Sequence, residues 1–128
     1  PDAVYLVQPV DRHAVALVWN PRPDLPQAGK TGVGALLIEF PGSVQPDFFM
    51  KVLGPDATLE PVKVNGNPGY WIGGKPHGFF FLDRQGVPQE DTFRLANNTV
   101  IWDRGPLTIR IESGLGKAPA LALANSTD

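Results

Sequence analysis

Fourteen glycines and fourteen prolines are spread along a chain of 128 residues, and they cut it into short apolar runs. That punctuation leaves little room for long helices, because both residues weaken a helix interior. It suits a fold of many short strands joined by turns. The runs themselves are rich in β-branched and aromatic residues: "AVYLVQP" (3–9), "HAVALVWN" (13–20) and "VGALLIEF" (33–40) all read as strands. Between the last two, "PRPDLPQAGKTG" (21–32) holds three prolines and two glycines and reads as a loop.

"QPDFFMKVLG" (45–54) has the marks of a short helix. Pro46 suits a first helical position, Phe49 and Val52 or Leu53 share a face, and Gly54-Pro55 ends it. Further strands are expected near 58–64, 69–73, 78–83, 91–96, 99–103 and 107–112. Their turns fall at Asn65-Gly66, Gly73-Gly74, Arg84-Gln85-Gly86, Asn97-Asn98 and Asp103-Arg104-Gly105. Asn-Gly is the sharpest of these signals, since both residues accept positive φ. The closing "KAPALALANS" (117–126) reads as a helix packed on the sheet. The expected fold is therefore α+β: one domain over 1–128, mainly a curved antiparallel sheet of hairpins, with a short middle helix and a C-terminal helix.

Alternation sets the faces. Val100 and Trp102 should share one side and Ile101 the other. In "LTIRIES", Leu107, Ile109 and Ile111 should face the helix, with Thr108, Arg110 and Glu112 opposite. Charged residues are seldom buried, so that polar side is expected to be solvent-exposed, with Arg110 and Glu112 as a surface pair joined by Arg94 or Asp103. If instead it lined a groove, the same charges would be the polar fixtures of a binding site.

Composition narrows the functions. A net charge of −2 without a basic run argues against a nucleic-acid partner. The lack of cysteine removes disulfides, thiol nucleophiles and cysteine-ligated metals. No apolar run approaches the ~20 residues that span a bilayer, and these residues hold no basic start followed by an apolar h-region, so no signal peptide is expected among them. The chain starts Pro-Asp-Ala without methionine, so a processed or trimmed protein is expected.

Individual motifs argue mostly for architecture. "DLPQAGKT" (24–31) ends like a phosphate loop, but Asp24 replaces the first glycine and a strand follows in place of a helix. "GVGALL" lacks the third glycine of a dinucleotide fingerprint. His13 and His77 fall in no metal-ligand spacing. Ser43, Ser113 and Ser126 sit in no nucleophile elbow. The carboxylates Glu39, Glu60, Glu90 and Glu112 follow no spacing that points to glycosidase chemistry. No cofactor is expected. The aromatics Tyr70, Trp71, Phe79, Phe80, Phe81 and Trp102 are the better candidates for contact, because three successive phenylalanines, 79–81, cannot all face one side of a strand. The candidate contact residues are Tyr70, Trp71, His77, Phe80, Arg110 and Glu112.

"VNGNPGYWIGGKPH", then "FRLANNTVIWDRGPLTIRIES" and an Ala/Leu-rich end, carry an ordered pattern: Val64, Gly66, Gly69, Tyr70, Trp71, Gly74, Pro76, His77, Asn98, Trp102, Arg110 and Glu112. Over residues 33 to 127 the chain resembles an uncharacterised extracytoplasmic domain of bacterial, actinobacterial-type anti-sigma-factor-like membrane proteins. The resemblance implies a non-enzymatic sensor or interaction domain outside the cytoplasmic membrane, tethered by an upstream segment, with a protein partner. A carrier of an apolar or glycan ligand in a sheet–helix groove is the alternative. A hydrolase or metal enzyme ranks below both.

Overall fold

The computed structural model describes residues 1–7, 14–42, 57–74, 80–82, 88–90 and 98–127, with backbone alone at 7, 57, 74, 80–82 and 88–90. Nine strands and one helix lie among them: β1 (Ala3–Val7), β2 (Ala14–Trp19), β3 (Ala35–Pro41), β4 (Ala57–Val64), β5 (Asn67–Gly74), β6 (Phe80–Leu82), β7 (Pro88–Glu90), β8 (Thr99–Arg104), β9 (Leu107–Ser113) and α1 (Lys117–Asn125). Seven strands form one antiparallel sheet in the order β1-β2-β3-β9-β8-β5-β4, while β6 and β7 pair separately. The architecture is α+β.

Two meanders meet in this sheet. The first is β1-β2-β3, and the second runs β4-β5, leaves for the β6–β7 hairpin, and returns as β8-β9. They join where β3 pairs with β9, from Ala35 opposite Ser113 to Pro41 opposite Leu107. The chain thus crosses from the middle of the sheet to its far edge between β3 and β4. The Asn65-Gly66 turn closes the β4–β5 hairpin with positive φ at both residues, 49° and 82°, as a two-residue hairpin loop demands. β7 was not expected, since proline and glutamate are poor strand formers. The expected helix at 45–54, the strand at 91–96, and the turns at 84–86 and in Asn97 lie outside the described residues.

The expected division of faces holds. Val100, Trp102, Ile109 and Ile111 join Leu37, Val64 and Trp71 in one core layer with Ala120 and Ala124 of α1. Ile101 faces the other way, with Ile72. The buried residues of α1 are alanines at i, i+4, whereas Leu121 and Leu123 are only half-buried. Small side chains let the helix backbone lie close over Trp102, whose ring fills the volume that larger helix residues would occupy. The helix has no side-chain N-cap at Gly116 and depends on tertiary tethers instead. Asn125 Oδ1 accepts a bond from the Asn65 backbone N–H at 2.8 Å, the Asn65 amide donates to the Thr127 carbonyl, and Lys117 pairs with Glu60. The hairpin turn and the helix end hold one another.

Gly69 marks the tightest approach in this layer. It lies opposite Trp102, and a Cβ there would fall 2.6 Å from Trp102 Cβ and closer still to the Ile101 carbonyl. Gly69→Ala should therefore cost about 1–3 kcal/mol through overpacking, read as a lower urea midpoint at unchanged m-value. Ending the chain before Lys117 should cost more. Trp102, Ile109 and Ile111 would each lose cover worth about 1.5–3 kcal/mol when fully buried. A truncated chain that melts with the intact one would show that α1 does not support the core.

Candidate binding groove and the buried polar row

The helix covers only part of its side of the sheet: α1 packs on β8, β9 and β4. Beside it, over β2 and β3, a cavity of about 390 Å³ opens. Its floor is Leu17, Trp19, Leu37, Ile109 and Ile111, and its wall is Leu123 near the end of α1. Strand parity sets that floor, because Leu17 lies opposite Leu37 and Leu37 opposite Ile111. Side chains directly opposite in a sheet share a face.

Polar groups stand at the rim. Glu39 and Arg104 form an ion pair at 3.5 Å, 31% and 38% exposed. Arg22 also lines the cavity and pairs with Asp24 at 2.9 Å. Arg22 is held there by the proline-rich loop, which is folded rather than loose. Backbone bonds run between Arg22 and Leu25 in both directions, and Gly34 N–H donates to the Trp19 carbonyl. Leu25 and Ala28 are buried beneath it. Thr31, where a phosphate loop would bind a metal, donates instead to the Ala28 carbonyl at 2.7 Å.

The residues singled out from the sequence lie elsewhere. Trp71 is on the helix side but in the core under α1. Tyr70 is on the opposite side, half-buried against Ile72 and Ile101. Phe80 belongs to β6, but its side chain, like all of His77, lies outside the described residues. Arg110 and Glu112 require a correction. Expected to be exposed, both side chains are wholly buried, with Nη2 and Oε2 3.9 Å apart, and both make further interactions. They face away from the groove, so they are not its polar fixtures.

The physical reason is the position of β9. It is a central strand, paired with β3 on one edge and β8 on the other, and its polar side is as buried as its apolar one. Thr108, Arg110 and Glu112 make a polar row there. It divides two apolar patches, Ala14, Ala16, Leu36, Ile38 and Phe40 on one flank and Ile72 with Ile101 on the other. Thr108 Oγ1 donates to Asp103 Oδ1 at 2.8 Å, so Asp103 extends the row through Thr108. Alternation reveals two chemically different faces, not which of them meets water.

Sequence reasoning missed the groove residues Leu17, Trp19, Arg22, Glu39 and Arg104. One signal was present: Glu39 interrupts the otherwise apolar run "VGALLIEF". Among the described residues no three metal-ligating side chains come together, and no helix is long and apolar enough to cross a membrane. Comparison with known proteins finds no matching family model, curated protein or solved structure.

Removing one member of the buried pair takes a counter-charge away from the other in a site closed to water. Arg110→Ala and Glu112→Ala should each lose about 3–5 kcal/mol, whereas Arg110→Met with Glu112→Leu should be far milder than either single change. Denaturant titration of the three variants checks this; single variants within ~0.5 kcal/mol of wild type would contradict it.

Proposed function

We propose that this chain is a non-enzymatic interaction domain that receives a partner in the groove beside α1. The observation that carries the reading is a concave apolar floor next to an ion pair that is only partly exposed, Glu39–Arg104. An apolar anchor can fill such a floor while the paired charges orient the polar groups around it. Among the Trp residues, Trp19 is half-exposed whereas Trp71 and Trp102 are core, and partly exposed tryptophan favours recognition. The resemblance carried in part by the glycine, aromatic and Pro-His pattern of residues 64–77 implies an extracytoplasmic setting, as the sensor part of a membrane-anchored, anti-sigma-factor-like bacterial protein. A full-length coding sequence with a cleavable signal alone would favour a free carrier, and one with neither a signal nor an upstream membrane segment would remove that setting.

A second reading is favoured by the cavity volume, about 390 Å³, which falls in the range of small-ligand sites, roughly 300–1,000 Å³. On it, the domain carries an apolar or glycan ligand. Peptides selected for binding by phage display separate the two. Under the interaction reading they should shift the amide resonances of Trp19, Glu39, Arg104 and Leu123. Leu17→Arg should weaken their binding at least tenfold with the far-UV spectrum unchanged. Peptides that map to another face would refute the groove as the recognition site. Saturable uptake of a fatty-acyl or oligosaccharide probe at these residues, without peptide binding, would favour the carrier.

A further inference from the structure

The two edges of the main sheet are built differently. At one, β4 presents exposed Pro61 and Lys63. Proline withholds an N–H and lysine resists burial, so strand addition is blocked there. At the other, β1 reads Ala-Val-Tyr-Leu-Val, with no charge, proline or glycine. Its central side chains are open to solvent: Val4 at 61%, Tyr5 at 55% and Leu6 at 66%. Among the described residues no strand pairs with the outer side of β1, and a row of backbone donors and acceptors between apolar side chains accepts one kind of occupant, another extended strand.

We infer that β1 pairs antiparallel with β1 of a second copy of this chain, about a twofold axis at Tyr5. In that register Ala3 meets Val7, Val4 meets Leu6 and Tyr5 meets Tyr5. A charged strand would bring like charges together around such an axis; this one brings only apolar side chains together. Val4 and Leu6 lie opposite Leu17 and Val15, on the groove side. The apolar strips of the two copies therefore become continuous across the junction. Because β4 is blocked, pairing uses a single edge and closes at two copies instead of propagating into a fibre. Five residues a side make a small contact against the roughly 1,200–2,000 Å² of a stable interface. The dimer should therefore be weak, with Kd between about 1 μM and 1 mM.

Sedimentation velocity of the chain from micromolar to millimolar concentration should show reversible monomer–dimer exchange. Tyr5→Lys places two cations opposite one another and should raise Kd at least tenfold while the thermal midpoint stays unchanged. The chain has no cysteine, so single cysteines report the register. Residues directly opposite lie about 4.5–5.5 Å apart at Cα, within disulfide reach. Tyr5→Cys should thus cross-link on mild oxidation. Val4→Cys, roughly 7–8 Å from its mate on the diagonal, should lag well behind. A monomer throughout overturns the inference, as does cross-linking at residue 4 as fast as at residue 5. A monomer that protects its β1 amides only when a synthetic Val-Thr repeat peptide is added would assign the edge to a foreign strand, and would overturn it too.

Discussion

Strand β9 is hydrogen-bonded along both edges and buried on both sides, and the remaining elements depend on it. It joins the two meanders through β3 and β8, so without it the chain has two small sheets and no common core. Its apolar side supplies Ile109 and Ile111 to the layer under α1. Its polar side places Arg110 and Glu112, wholly buried, between two apolar patches. A buried ion pair adds little net stability over well-packed hydrophobic residues. It does penalise any slip of β9 by one residue, because the charges would then be driven into the apolar layer under α1.

The helix side is organised by size as much as by hydrophobicity. Trp102 is large, Gly69 opposite it is bare, and Ala120 and Ala124 above it are small. The bulk of one residue is accommodated by the smallness of three. This close fit sets α1 over β8, β9 and β4 and, among the described residues, leaves β2 and β3 beside the helix instead of beneath it. The groove is the consequence: its floor is the part of the apolar layer that α1 is too short to reach. The folded proline-rich loop and the Glu39–Arg104 pair then bound it with polar groups.

Much of the fold is legible along the chain. The strand runs, the Asn65-Gly66 hairpin, the parity of 99–104 and 107–113, and the C-terminal helix follow from local rules of turn chemistry and alternation. The groove is not legible in this way. Leu17, Leu37 and Ile111 lie far apart in sequence and meet only through the β2–β3 and β3–β9 registers. Arg22 reaches it through a loop whose prolines disguise a set of specific backbone bonds.

The sequence by itself determined most of the strands and the Asn65-Gly66 turn, which residues share a side, and that the last segment is helical, because each depends on neighbours a few residues away. Gly73-Gly74, read as a turn, instead continues β5 opposite Thr58 and Ala57. It also set the contrast between the uncharged β1 and the proline- and lysine-bearing β4. Only the tertiary structure decided that these two are the edges, that β9 lies at the centre, and that the polar side of β9 is dry. Alternation records a difference between two faces. Whether a face meets water depends on what the rest of the chain lays over it, and no local pattern encodes that.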